Sequence, residues 1–351
     1  MERGARLPTQ NPRLNRIVVV HQGALGDFLL VLGVLEGLHR CSPDIRMGLW
    51  TRTEHFRLIE DKPYVDGFHP AGGPELLPFF DAEQWRRAVP PSFFTNAHEI
   101  FFFGQESSRA VADRLGRRTS ASVHWLQSFP GPGVALHASR FVADQVRALG
   151  WEVQDAAACI SPSPEDRGHV AHWLDEGTGG PGHGGTPGGA ACAGGKPVAV
   201  HPGSGGRAKV WPLARWWGLL EWMRKEKGVP VLMILGPADE HLYPFASAAR
   251  RIGVRLVEGL SLPRLAALLS GCRLYVGNDS GVSHLAAATS IPAAVIFGPT
   301  DPRVWAPAGA NVRVVRASWD PATNLLWPPS SVETPSETIK SSLEEFLPAR
   351  C

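Results

Sequence analysis

Glycine-containing loops hold the residues whose types and spacing suit chemistry. One is Gln22-Gly23-Ala24-Leu25-Gly26-Asp27. A second is His201-Pro202-Gly203-Ser204-Gly205-Gly206-Arg207-Ala208-Lys209-Val210-Trp211-Pro212. A third is Gly277-Asn278-Asp279-Ser280-Gly281-Val282-Ser283-His284. Each follows a short apolar run and precedes a helical period, so each reads as strand, tight loop and helix N-terminus. Such a loop leaves backbone N–H groups unpaired at the positive end of a helix dipole, a setting suited to phosphate. Asp279 and Ser280 fit an ordinary helix N-cap equally well. Asp27 is either a carboxylate stabilised by the helix dipole or a group facing a cleft at the C-terminal edge of a parallel sheet. Lys209 either neutralises phosphate charge or is a solvated surface lysine. The G-x-x-G-D spacing at Asp27 is not the G-x-G-x-x-G of a dinucleotide fold. Glu240, with Asp239 beside it, follows the apolar run Val229 to Leu235.

The elements that must position these residues alternate along the chain. In the first half, strands are expected at Arg16 to Val20, Ile45 to Trp50, Tyr64 to Phe68, Glu99 to Phe103 and Ser122 to Leu126. Helices are expected at Phe28 to His39, Glu54 to Glu60, Glu106 to Leu115 and Leu136 to Leu149. Pro70 to Phe94 reads as loop with one short helix near Glu83 to Ala88. Phe101-Phe102-Phe103 reads as a central strand rather than an aromatic binding box. In the second half, strands are expected at Pro197 to His201, Val229 to Leu235, Arg255 to Val257, Cys272 to Val276, Ala293 to Phe297 and Val312 to Val315. Helices are expected at Leu213 to Lys227 and Leu262 to Leu269, with a closing helix at Glu333 to Leu347. This alternation implies βαβ units and mainly parallel sheets. The domain boundaries read as a flexible N-terminus over 1–15, a domain over 16–164 and a joint over 165–195. A second domain spans 196–330 and a C-terminal helix 331–351. Within the joint, Gly177 to Gly195 is too glycine-rich to build a core, and His183 and Cys192 there do not amount to a metal site.

The chain has 351 residues, of which 44% are hydrophobic and 19% charged, as expected of a globular protein of two domains. A net charge of +2 argues against a dedicated nucleic-acid binder. Five cysteines without a C-x-x-C pair point to free thiols in a reducing compartment. The N-terminus lacks the apolar core of a signal peptide, and no apolar run has the length of a membrane span. A cytoplasmic protein is therefore expected.

Four blocks together resemble glycosyltransferase family 9, the ADP-heptose:lipopolysaccharide heptosyltransferases. They are Gly26-Asp27 after the first strand; His201-Pro202-Gly203-Ser204 with Lys209-Val210-Trp211-Pro212; Gly277 through His284; and Phe297-Gly298-Pro299-Thr300-Asp301-Pro302. Their order and spacing are similar to the family's over roughly Arg16 to Pro307. The resemblance implies an α/β GT-B fold, two facing Rossmann-like domains with parallel sheets and an interdomain cleft. The C-terminal domain would bind the nucleotide-sugar donor and the N-terminal domain the acceptor, with Gly23 and Gly26 in an acceptor-side loop. The reaction would be an inverting, metal-independent transfer of a sugar, heptose from ADP-heptose, onto a lipopolysaccharide core or related surface glycan.

By that resemblance Asp27 is the catalytic base. Lys209, Ser204 and the amides of Asp279, Ser280 and Gly281 would stabilise the departing ADP. His284 would reach the same phosphates or brace the loop. Glu240, or Asp239 next to it, would hold the ribose. No cofactor or metal is expected. The partners are the donor, a glycolipid or oligosaccharide acceptor and peripheral contact with the inner face of the cytoplasmic membrane. Arg52, Lys62, Arg86, Arg87, Arg117 and Arg118 are acceptor-contact candidates, or else solvated surface charges. The family often has a small polar pair where this chain has Gln22-Gly23-Ala24, and Pro70 to Pro132 offers no matching block. A nucleotide-sugar epimerase and a non-catalytic nucleotide-sugar binder are the alternative readings.

Overall fold

The computed structural model describes residues 16–175, 195–328 and 337–347. The N-terminal stretch 1–15, His183 and Cys192, the glycine-rich joint up to residue 194 and the first part of the closing helix lie outside the described residues. In chain order the elements run β1 (Arg16–His21), α1 (Leu25–Cys41), β2 (Arg46–Thr51), α2 (Thr53–Phe56), β3 (Val65–Pro70), α3 (Leu77–Phe80) and α4 (Ser92–Thr95). Then come β4 (Glu99–Gly104), α5 (Glu106–Gly116), β5 (Ser122–Gln127), α6 (Ala138–Ala148) and α7 (Pro164–Leu174). The remainder holds β6 (Val198–His201), α8 (Leu213–Glu221), β7 (Val231–Leu235), α9 (Tyr243–Arg251), β8 (Arg255–Glu258) and α10 (Leu262–Gly271). It ends with β9 (Leu274–Asn278), α11 (Gly281–Ala288), β10 (Ala293–Phe297), α12 (Pro302–Trp305), β11 (Val312–Arg316) and α13 (Glu337–Glu344).

The described chain forms two compact units. One comprises residues up to 23, 37–128 and 144–154; the other comprises 24–36, 129–143 and the described residues from 155 onward. The first unit holds a five-stranded sheet in the order β3-β2-β1-β4-β5. Its pairings are parallel, with Val19 opposite both Leu49 and Phe101. Runs of β-branched and aromatic residues suit these strands because each inner strand is covered on both faces. Val18, Val20, Trp50, Phe79, Phe94, Ile100, Phe102 and Leu115 pack into one apolar cluster. Phe101, Phe102 and Phe103 are all buried in β4, as expected of a central strand.

The second unit holds a six-stranded sheet in the order β8-β7-β6-β9-β10-β11, again parallel throughout. Numbered from β6, this is the 3-2-1-4-5-6 order of a doubly wound fold, whose direction of winding reverses between β6 and β9. In doubly wound folds ligands bind outside the carboxyl ends of the strands at such a switch point. In α8, Trp216, Leu219 and Leu220 fall on one face and are fully buried. Each contributes roughly 1.5–3 kcal/mol of transfer free energy.

Several local expectations change. Pro70 to Phe94 holds four short helical turns, at Pro74–Leu76, Leu77–Phe80, Gln84–Arg86 and Ser92–Thr95, instead of one helix. Prolines at 74, 78, 90 and 91 break any longer period. The helix after Pro212 is α-helical to Glu221 and widens into a π turn over Trp222–Glu226. The strand expected over Cys272 to Val276 starts two residues later and continues through Gly277 and Asn278. Helix α9 is an addition to the expected elements, and it buries Phe245, Ala246 and Ala249.

Candidate functional site

The site is built at the switch point between β6 and β9. Asn278, the last residue of β9, is fully buried. Its side-chain oxygen accepts the Trp211 amide at 3.1 Å and its nitrogen donates to the carbonyls of Pro202 and Gly203. One side chain thus fastens both ends of the loop that carries Ser204 and Lys209. Ser204 donates to the Asp279 carbonyl at 2.7 Å. His201 bridges further loops: Nδ1 lies 3.2 Å from Ser280 Oγ and Nε2 lies 3.1 Å from Asp239 Oδ2. Asp239 also accepts the Gly236 amide at 2.7 Å. Burial drives the Asp239 carboxyl upward, but the hydrogen bonds from His201 and Gly236 outweigh it and hold the group below its usual value.

Ser280 is the N-cap of α11 by position, yet its hydroxyl makes no capping bond. It is engaged by His201 instead, so the first amides of α11 keep their donors. The Asp279 amide is not among them, because it donates to the Ile296 carbonyl at 3.2 Å. That corrects the expectation of three available amides; those of Ser280 and Gly281 find no acceptor among the described residues. Below the loop, Tyr275 and Ser283 share a hydrogen bond of 2.9 Å, and Ser283 Oγ donates to the Asn278 carbonyl at 2.5 Å. Gly277 is required there: a Cβ on it would lie 2.1 Å from the Tyr275 hydroxyl oxygen.

Lys209 Nζ lies 3.2 Å from Asp279 Oδ2, and Thr300 Oγ1 donates to the same oxygen at 2.8 Å. The start of α1 belongs to this same unit. Asp27, in the first turn of α1, accepts the Ala24 amide, the reach-back of a capping box. Burial, the strongest influence, raises its carboxyl above the usual carboxylate range; Lys209 opposes that rise and Asp279 adds to it. Asp27 is thus both the helix-terminal carboxylate and a group within the field of Lys209. The N-termini of α1 and α11 abut, since a Cβ on Gly281 would lie 2.9 Å from Leu25 Cβ and 3.2 Å from the Gly26 nitrogen. His284 is buried against Gly26, and desolvation lowers its imidazole to about 4, with Asp279 opposing and His137 and Lys209 assisting.

The structure therefore brings Gly26, Asp27, Ser204, Lys209, Asp279, Ser280, Gly281 and His284 into one neighbourhood. Glu240 stands outside the buried network, exposed at the end of the β7 loop, whereas Asp239 is 3% exposed and spent on His201 and Gly236. Gly23 lies in the loop after β1 and belongs to the first unit. Of the basic residues in that unit, Arg118 donates to the Ala88 carbonyl, Arg86 pairs with Glu83 and Arg117 lies over the Trp85 ring. Arg52 donates to the Gln22 carbonyl at 3.3 Å. His201, Asn278 and Thr300 had no assigned role in the sequence analysis, although all three lie within its quoted blocks, and Asp239 was named there only as the alternative to Glu240 for the ribose.

Residues 185–325, which hold most of these groups, match the model of the family described as glycosyltransferase family 9 (heptosyltransferase). Over this segment, which is less than half of the chain, the sequence is similar to that family. Lipopolysaccharide heptosyltransferase 1 of Pseudomonas aeruginosa is 39% identical over 94 residues, which are 27% of this chain and 26% of that protein. The chain thus spans about a quarter of the length of that relative. Among solved structures, E. coli ADP-heptose lps heptosyltransferase II superposes with a TM-score of 0.65 at 17% identity, covering 94% of this chain and 98% of that one. E. coli heptosyltransferase WaaC, solved with ADP, superposes with a TM-score of 0.59 at 19% identity, covering 94% and 99%. The α/β fold with two parallel sheets is the GT-B fold of these family 9 structures.

Proposed function

We propose that this chain is an inverting glycosyltransferase that moves a sugar, heptose, from ADP-heptose to the core of a lipopolysaccharide or a related surface glycan. The observation that carries the reading is the convergence of two helix N-termini with Lys209, between Asp27 on one helix and Asp279 at the start of the other. A diphosphate docked on α11 takes the Ser280 and Gly281 amides and the Lys209 ammonium. The Asp27 carboxylate accepts the proton of the acceptor hydroxyl. The acceptor oxygen then bonds to the anomeric carbon from one side while the bond to the β-phosphate oxygen breaks on the other, which inverts the centre. ADP departs with its charge held by Lys209 and the helix terminus, so no divalent ion is required. A neutral His284 packs the floor without adding charge, and exposed Glu240 suits a ribose. The enzyme works at the inner face of the cytoplasmic membrane, where such an acceptor is assembled; no described helix is long and apolar enough to cross a membrane.

The test is ADP release from ADP-heptose by purified protein with and without a heptose-deficient lipopolysaccharide acceptor, in the presence of EDTA. Acceptor-dependent release, undiminished by EDTA and abolished in Asp27→Ala, is expected. Release without acceptor, or preference for UDP over ADP in calorimetry, rejects it.

A further inference from the structure

The segment between β11 and residue 328 has no place in the chemistry above, yet it touches the loop that bears Lys209 at successive points. Trp319 Nε1 donates to the Ala208 carbonyl at 3.0 Å. Asn324, only 2% exposed, donates from one nitrogen to the carbonyls of Arg207 at 2.8 Å and Val210 at 2.7 Å. Its own carbonyl accepts the Leu213 amide at 2.9 Å, which anchors the start of α8. These bonds bracket Lys209, whose backbone otherwise forms a single short turn over Arg207–Lys209. The same tryptophan covers the neighbouring loop. Its ring lies over Gly298, where a Cβ would approach Trp319 Cη2 to 2.1 Å, and Ala317 donates to the Phe297 carbonyl at 2.8 Å. Two residues beyond Gly298 stands Thr300, the second donor to Asp279 Oδ2.

We propose that Trp319 and Asn324 are positioning residues that clamp the loops of Lys209 and Thr300 together and so set the lysine against Asp279 for the donor diphosphate. The proposal rests on the donor site described above. The physical case is one of entropy and satisfaction. A three-residue turn at a loop rim holds a long lysine poorly, and each carbonyl around Lys209 that receives a side-chain donor removes freedom from that turn. Asn324 suits this role because its amide nitrogen has two donor hydrogens and the two carbonyls consume both. Trp319 suits it because an indole spans the glycine gap while presenting one N–H.

Trp319→Phe keeps a ring over Gly298 and removes only the N–H, so it is the principal variant. Asn324→Asp, which puts an acceptor before two carbonyls, is the second. The first readout is reductive methylation of Lys209 followed by mass spectrometry, with exposed Lys225 as internal reference. The rate at Lys209 is expected to rise about five-fold in Trp319→Phe, the factor for one net hydrogen bond. The second readout is calorimetric ADP binding in a double-mutant cycle with Lys209→Ala. Trp319→Phe is expected to weaken ADP about five-fold in the parent and not at all in the Lys209→Ala background. Unchanged methylation, or an equal loss of ADP affinity in both backgrounds, overturns the clamp. If the parent protein binds no ADP, the donor reading fails by itself, and the methylation rate alone decides the clamp.

Discussion

Gly281 and Leu25 stand so close that a Cβ on the glycine would lie 2.9 Å from the leucine Cβ. That contact sets the first turn of α1 against the first turn of α11. It is what places Asp27 within the field of Lys209 and Asp279.

Gly281→Ala is expected to destabilise the second unit by about 1–3 kcal/mol, the usual cost of overpacking, because the added carbon also meets backbone at the Gly26 nitrogen. Gly26→Ala meets the His284 ring at 3.2 Å, and a side chain yields more easily than backbone. Thermal unfolding of both variants checks the ranking. Equal losses would remove the backbone explanation.

Gly203→Ala places a carbon 1.9 Å from Asp239 Oδ1, which must break the pair with His201 or the bond to Gly236. A loss of roughly 1–3 kcal/mol is expected in urea denaturation. Asp239→Asn tests the same carboxylate by pH. Because the folded group titrates below its ordinary value of 3.8, its stabilisation is present above that value and disappears as pH falls through the lowered folded value. The asparagine variant is expected to lose that part of the acid dependence.

Three buried histidines predict a second pH effect at milder acidity. Burial holds His284 at about 4 and His55 at about 4, and it holds His21 at about 3, with His55 and Arg52 adding to the effect on His21. Each stays neutral in the fold while the unfolded chain takes up a proton below 6.5. Stability therefore declines as pH falls from 6.5 toward 4, with a slope of about 1.4 kcal/mol per pH unit for each histidine. His284→Gln is expected to lower that slope by one such increment in urea titrations at successive pH values. An unchanged slope would place the proton uptake elsewhere.

Asp27→Asn keeps the shape of the capping residue and removes the base. A fall in kcat of about 10²–10⁴-fold is expected with ADP affinity nearly unchanged. In the parent enzyme, activity is expected to fall on the acid side at a pH above the ordinary carboxylate value, because burial raises the Asp27 carboxyl. Steady-state rates across pH check both statements, and a large loss of ADP binding in Asp27→Asn would assign the residue to the donor.

Much of the frame was legible because both sheets are parallel and their inner strands are short apolar runs, some of them bounded by glycine or proline. Val18 to Val20, Phe101 to Phe103 and Ala293 to Phe297 declare themselves in this way. The turns between β3 and β4 do not, since four residues of helix carry no period to read. Helix α9 is only nine residues long, and two of its three buried residues, Ala246 and Ala249, are small and mark its apolar face weakly beside Phe245.

By itself the sequence determined the alternating elements and the three glycine loops that precede helices, because local spacing and backbone freedom are written residue by residue. It also determined which groups can carry a proton or a charge. Only the tertiary structure decided their partners. It spends Asp239 on His201 and the Asp279 amide on Ile296, leaves the Ser280 and Gly281 amides available, and brings Asn324 under a loop more than a hundred residues away in sequence. The physical reason is that hydrogen-bond satisfaction in a buried loop is a property of the whole sheet edge. Which donor meets which acceptor follows from strand order, and strand order is set by packing across the core rather than by neighbours in the chain.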